Sequence, residues 1–181
     1  MRIIAGEARG RMIDAPPGLH TRPTLDRVRE NMFNILQSEI PGSHILDLFA
    51  GSGALSLEAL SRGAADAVLV DLDRNAHLTQ KKNIEKLHYS DRATAMHCDW
   101  RKALDCLEKE KKHFDLVFLD PPYSMLDLRT VFSSLIPVIH RDTLIVLEYE
   151  SGKEVAVSGQ FEKIKDRSWG FCAVSIFIMK S

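Results

Sequence analysis

Apolar residues along this chain change period several times, and each change predicts an element. Leu25, Val28, Met32, Ile35 and Leu36 recur at helical spacing, which predicts a helix with Thr24 as its N-cap and Pro41-Gly42 as its stop. From residue 43 onward strand-like runs alternate with helical ones. Strands are predicted at 44–49, 67–71, 93–97, 114–120 and 143–148, with helices at 54–62, 74–87, 100–108 and 126–136 between them. Leu116-Val117-Phe118-Leu119 and Leu144-Ile145-Val146-Leu147 are unbroken apolar runs, as strands become when helices cover both faces of a parallel sheet. Residues 161–167 and 172–179 flank Ser168-Trp169-Gly170, the pattern of an antiparallel hairpin added to that sheet. At the other end, residues 2–13 read as a small hairpin with Gly10 in its turn, followed by a break at Asp14-Ala15-Pro16-Pro17-Gly18. The expected organisation is an α/β unit over residues 43–181 with a basic hairpin-and-helix extension over 1–42, and no repeat or linker.

Composition narrows the class. Of 181 residues 45% are hydrophobic, too many for a disordered chain, yet no apolar run approaches the roughly 20 residues of a membrane helix. The first seven residues are too soon charged for a signal peptide. Three cysteines form no CxxC and leave one unpaired, which suits a reducing compartment, and the seven histidines lack metal-ligand spacing. A cytoplasmic protein without metal or membrane partner is expected. The net charge of −1 offers no whole-surface attraction to nucleic acid, but its distribution is uneven. Residues 1–30 hold six arginines against four acids, whereas residues 44–73 hold five acids and one arginine.

Chemistry concentrates at two strand ends. Asp47-Leu48-Phe49-Ala50-Gly51-Ser52-Gly53 joins a strand to a helix, and its glycines let a ligand approach the backbone. A tight turn without a ligand is the plainer alternative. Asp71 ends the next strand twenty residues after Gly51, the spacing of a carboxylate that takes ribose hydroxyls. A dinucleotide fingerprint would place a third small residue where Ser56 stands, and Asp47 would sit poorly beside a pyrophosphate. Asp47 suits a cationic amino group instead, which points to S-adenosylmethionine, with S-adenosylhomocysteine as product, and away from a nicotinamide cofactor. Phe49, Ala50, Ser52, Leu72 and Trp100 complete the expected cofactor set. Asp99 either accepts from the adenine amine or caps the following helix, and the roles are compatible.

Asp120-Pro121-Pro122-Tyr123 follows the fourth strand. Two prolines remove two N–H donors, so nearby carbonyls are expected to face outward as acceptors without a local partner. An exocyclic base amine is a poor nucleophile, and a carboxylate plus a carbonyl accepting its two N–H groups would aim its lone pair. Tyr123 would stack on a base turned out of its helix. The plainer alternative is a proline-rich turn.

The chain resembles the bacterial 16S ribosomal RNA guanine-N2 methyltransferase family. The likeness rests on Arg9-Gly10-Arg11, Arg22-Pro23-Thr24, Asp26-Arg27-Val28-Arg29-Glu30, the Asp47–Gly53 loop, Leu57-Glu58-Ala59-Leu60-Ser61-Arg62-Gly63-Ala64 and Asp120-Pro121-Pro122-Tyr123. It implies a class I methyltransferase sheet of order 3-2-1-4-5-7-6 with strand 7 antiparallel. It also implies methyl transfer to 16S ribosomal RNA, free or in the small subunit. Ser56 stands where a glycine is common and Trp169 where tyrosine is frequent; neither is expected to touch the chemistry. Arg9, Arg11 and Arg22 are the expected RNA contacts, though for a single arginine a solvated surface is the plainer reading. Trp169 is either a packing residue or a stacking platform. Two other readings stay open: an adenine-N6 methyltransferase, and an RNA-binding assembly factor without catalysis.

Overall fold

The computed structural model describes residues 1–18 and 23–181, with side chains of the first helix from Asp26 onward. Its centre is a seven-stranded sheet. In chain order the elements are α1 (Pro23–Ile35), β1 (His44–Asp47), α2 (Ala54–Ser61), β2 (Asp66–Asp71), α3 (Arg74–Lys86) and β3 (Ala93–His97). Then come α4 (Trp100–Lys109), β4 (Phe114–Leu119), α5 (Arg129–Leu135), β5 (Ile139–Glu150), β6 (Phe161–Trp169) and β7 (Cys172–Met179). The strand order is β3-β2-β1-β4-β5-β7-β6; β1 to β5 run parallel, and β7 lies antiparallel to both β5 and β6.

Apolar runs in the central strands bury both faces. One face packs under α1, α2 and α3 through residues such as Phe33, Leu36, Leu57 and Phe118, and the other under α4 and α5 through Leu104, Phe132 and Val117. Burying such side chains contributes roughly 1.5–3 kcal/mol each. Ile3, Ala8 and Ile13 join the first cluster, so the N-terminal segment shares the core of the sheet. Among the described residues no helix is long and apolar enough to cross a membrane.

The small hairpin expected at 2–13 is present: Arg2 and Met12 form an antiparallel bridge, and Ile3 N–H donates to Arg11 C=O at 2.9 Å, Gly10 N–H to Ile3 C=O at 2.8 Å and Ile13 N–H to Met1 C=O at 2.9 Å. Its Ile4 and Ala5 N–H groups donate to the buried Glu58 carboxylate of α2, at 2.8 and 3.0 Å. Two other expected elements differ in extent. The helix expected from 126 begins only at Arg129, because Leu126 C=O accepts from Ala156 N–H at 2.8 Å and Leu128 N–H donates to Ala156 C=O at 2.7 Å, holding Asp127 in a parallel bridge with Ala156. β5 is longer than its apolar run at both ends, since β7 pairs with it as far as Glu150. Arg22 and the Thr24 cap lie outside the described residues and side chains.

Candidate active site

Parallel strands leave their carboxyl ends open on one edge of the sheet, where ligands of such folds bind. Two adjoining hollows open there and share Phe49, Gly51, Asp120 and Glu148. The larger is lined by Asp71, Leu72, Asp99 and Trp100 on one side and by Pro121, Pro122 and Tyr123 on the other. The smaller takes in Asp47, Ala50, Ser52 and Arg29. The expected cofactor and catalytic residues therefore meet in one crevice. Gly53 lines neither hollow. It starts α2 at φ +83°, and a Cβ there would stand 2.6 Å from Leu69 Cδ2, so glycine serves the close packing of helix on strand.

The loop between β1 and α2 is tied down from several directions. Gly51 (φ +53°) donates its N–H to Asp71 Oδ2 at 2.9 Å, and Asp71 Oδ1 accepts from Asp73 N–H at 2.9 Å. Each oxygen keeps a lone pair for a ribose hydroxyl. Gln80 and Asn83, buried on α3, donate to the carbonyls of Gly51 and Ser52, both at 3.0 Å. Asn83 also exchanges two hydrogen bonds with the Asp14 backbone, drawing Ala15 and Pro16 to the smaller hollow. These two amides read in sequence as ordinary helix polar residues; only their burial reveals the role.

Asp47 is 1% exposed and among the described residues its Oδ1 has no partner, while Oδ2 accepts from the Ser56 hydroxyl at 3.0 Å. Burial pushes its carboxyl up to about 7, against the downward pull of Ser56. The expectation that Ser56 stays clear of the chemistry is thus corrected: its side chain holds the residue expected to meet the cofactor's amine. Asp99 caps α4, accepting from Arg101 N–H at 2.9 Å, and still lines the larger hollow, so both roles proposed for it fit.

Glu148 escaped the sequence reading because it ends an apolar strand like any solvent-facing acid. Leu119 and Leu147 are register partners, which sets Asp120, just past the end of β4, beside Glu148 near the end of β5. Burial raises the Glu148 carboxyl, and burial together with the charges of Glu148 and Asp47 raises that of Asp120. The Asp120 residue remains exposed at the mouth, so water there moderates its shift. The Pro122 carbonyl accepts from Met125 N–H at 2.8 Å, contrary to the expected outward acceptors; among the described residues only that of Pro121 has no partner in the dipeptide. Tyr123 is 44% exposed, and burial and the nearby carboxylates push its phenol up to about 12, so it stays neutral.

Trp169 packs against the core, whereas Phe171 is 77% exposed at the tip of the β6–β7 hairpin. Phe171 C=O accepts from Ser151 N–H at 2.8 Å, which ties the hairpin tip to the residue after β5. Arg9 is exposed and shares a shallow hollow with Arg2 and Arg27. Arg11 donates to the carbonyls of Lys86 and Leu87 at the end of α3. Among the described residues no three His, Cys, Asp or Glu side chains are grouped to hold a metal ion.

The sheet order and the crevice at its carboxyl edge define a class I methyltransferase, the class whose cofactor is S-adenosylmethionine. The residues present suit that cofactor: a carboxylate and an indole for the nucleoside, and an unpartnered buried carboxylate for a cation. The chain belongs to the family described as Conserved hypothetical protein 95, whose profile matches residues 1–178. It is 35% identical over 182 residues to ribosomal RNA small subunit methyltransferase D of Haemophilus influenzae, covering 98% of this chain and 93% of that one. An rRNA methyltransferase candidate of Bacillus subtilis, YlbH, is 35% identical over 180 residues, with 98% of each chain covered. Among solved structures, the Escherichia coli methyltransferase candidate yhhF superposes with a TM-score of 0.83 at 34% identity, covering 100% of this chain and 98% of that one. The family resemblance read from the sequence is borne out by these relatives.

Proposed function

We propose that this protein methylates the exocyclic N2 amine of a guanine in small-subunit ribosomal RNA. The observation that carries the base assignment is the adjacent pair Asp120 and Glu148, both lining the crevice. Guanine presents N1–H and the N2 amine as neighbouring donors, and two carboxylates are acceptors only. Adenine presents an N1 lone pair beside its amine, which would face a carboxylate unfavourably. Two crowded acids repel each other in the empty crevice, and a donor–donor edge relieves that repulsion.

When bound, the cofactor's sulfonium supplies an electrophilic methyl carbon with a neutral thioether as leaving group. Asp120 and the Pro121 carbonyl accept the two N–H groups of the amine, and Glu148 accepts N1–H. Held so, the amine turns its lone pair toward the methyl group; the N–C bond forms as the C–S bond breaks. Asp120 stabilises the positive charge growing on nitrogen and stands ready to take the released proton. Tyr123 stacks on the extruded base. Arg2, Arg9 and Arg27 supply positive charge for phosphates, and the relatives named for ribosomal RNA support the substrate class.

Nucleoside mass spectrometry of ribosomal RNA from a strain lacking the gene tests this reading. Loss of one N2-methylguanosine from 16S RNA, restored by purified protein and S-adenosylmethionine, is expected. Loss of an N6-methyladenosine instead would overturn the base assignment.

A further inference from the structure

His97, the last residue of β3, belongs to no motif in the sequence. In the sheet it is the register partner of Asp71, so it comes to lie beside the turn that follows β2. Its Nε2 stands 3.0 Å from the Leu72 carbonyl. A carbonyl only accepts, so Nε2 carries a proton and donates, whether the ring is neutral or charged. The N–H of the same peptide, that of Asp73, donates to Asp71 Oδ1 at 2.9 Å. The Leu72–Asp73 peptide is thus held on both sides, its carbonyl by His97 and its N–H by the Asp71 carboxylate. His97 is exposed, but its ring is braced: His77 of α3 stacks on it, with centroids 5.2 Å apart and planes 17° from parallel. Burial and the neighbouring His97 and Lys81 hold the His77 imidazole below the usual histidine range, which favours a neutral ring in that stack.

We propose that His97 is a positioning residue for the ribose of S-adenosylmethionine, acting through the Leu72–Asp73 peptide on the Asp71 carboxylate. Asp71, Leu72 and Asp73 all line the larger hollow, so the peptide that His97 holds belongs to the wall of the crevice. Two N–H groups orient the carboxylate, that of Gly51 on Oδ2 and that of Asp73 on Oδ1, both at 2.9 Å. Without the His97 donor the Leu72 carbonyl is free to turn toward water in the crevice. That turn carries the Asp73 N–H away from Oδ1 and leaves Gly51 alone to fix the carboxylate. A carboxylate aimed in advance binds two hydroxyls without first losing its own freedom, which is the gain from preorganisation. The inference rests on the cofactor class and on Asp71 as the ribose carboxylate, and is independent of which base is methylated.

Calorimetry on the full chain without RNA tests it, using S-adenosylhomocysteine and a counterpart lacking both ribose hydroxyls. Loss of the hydroxyls is expected to weaken binding to the wild-type protein about ten- to a hundred-fold, the equivalent of a hydrogen bond to a charged group. His97→Phe keeps a ring for the stack and loses the donor. There the ratio of the two affinities should shrink about two- to ten-fold, the equivalent of an ordinary hydrogen bond, because only the hydroxyl-bearing ligand uses the aimed carboxylate. His97→Gln, whose amide nitrogen lies as many bonds from the backbone as Nε2, should restore the wild-type ratio. His97→Ala carries the comparison if His97→Phe does not fold. An unchanged ratio in these two variants, or equal weakening of both ligands, would make His97 a structural residue and overturn the positioning role. A His97→Gln protein as impaired as His97→Phe would overturn the route through the Leu72 carbonyl. Equal affinity of the wild-type protein for both ligands would overturn Asp71 as the ribose carboxylate and the role of His97 with it, leaving the base assignment untouched.

Discussion

The Ser56 hydroxyl lies 3.0 Å from Asp47 Oδ2 and donates to it, holding one oxygen of a buried carboxylate whose other oxygen has no partner among the described residues. Burial drives the Asp47 carboxyl up and that bond opposes it by favouring the charged form, leaving the carboxyl at about 7. An ammonium ligand needs the carboxylate. Cofactor affinity should therefore fall as pH drops through about 7, with a proton released on binding below it. Ser56→Ala should move that midpoint upward, weakening binding near neutral pH more than at about pH 8.5. Calorimetry in buffers of different ionisation enthalpy reads both the midpoint and the proton; coincident profiles for the two proteins would remove Ser56 from the site.

The same carboxyl makes a prediction about stability. Its folded value of about 7 exceeds the ordinary 3.8, so between those limits the folded state binds the extra proton. Stability from this group is full below about pH 4 and is lost as pH rises toward 7. Asp47→Asn should flatten that decline and raise the melting temperature of the unliganded protein at pH 8, while weakening cofactor binding. A variant less stable than wild type at pH 8 would contradict the assigned shift.

Asp120→Ala should slow methyl transfer about a hundred- to a thousand-fold, the effect of removing one preorganised electrostatic contact worth roughly 2.7–4 kcal/mol. Binding of S-adenosylhomocysteine should change little by comparison. Single-turnover assays with matched cofactor titrations separate the two, and undiminished transfer would take the carboxylate out of the mechanism.

Two exposed aromatic rings, Tyr123 in the crevice lining and Phe171 at the tip of the β6–β7 hairpin, should behave alike. Tyr123→Ala and Phe171→Ala should each cost about 1–3 kcal/mol in RNA affinity or transfer rate, the worth of a base stacked on a ring. Tyr123→Phe should keep most activity, since its phenol stays neutral and the ring face is what the base needs. Neither alanine variant should alter the salt dependence of RNA binding, whereas Arg9→Ala should reduce its slope. A Tyr123→Phe protein as inactive as Tyr123→Ala would give the hydroxyl a role.

Glu58, fully buried on α2, accepts from Ile4 N–H, Ala5 N–H and Arg62 Nε at 2.8, 3.0 and 2.8 Å. Glu58→Ala should cost about 3–5 kcal/mol, as breaking a buried pair does, and release the first residues from the core. Urea unfolding and hydrogen exchange at Ile4 and Ala5 measure the two effects. Unchanged protection there would mean that the segment is held elsewhere.

Much of the fold was legible because period and burial are coupled. Runs such as Leu116–Leu119 can be satisfied only with both faces covered, and the glycine loop and the Asp-Pro-Pro-Tyr string fall at strand ends by their place after such runs. The hairpin at 2–13 was legible from its turn, but its tie to α2, through Ile4 and Ala5 N–H groups that donate to Glu58 more than fifty residues away, was not. Gln80, Asn83 and Glu148 carried no local mark, since a buried polar residue has the same letter as an exposed one.

The order of apolar and polar residues by itself determined an α/β sheet, the glycine loop with its twenty-residue partner Asp71, and the place of Asp120-Pro121-Pro122-Tyr123 after a strand. Those features depend on neighbours within one strand–turn–helix unit. Only the tertiary structure decided which charges meet. The β4–β5 register brings Glu148 beside Asp120, the packing of α1 on the sheet puts Arg29 in the lining of the hollow that Asp47 also lines, and Ser56 reaches across from α2 to the end of β1. Charges gain their force from desolvation and from distances of a few ångströms, and both quantities arise only when segments far apart in the chain are packed together.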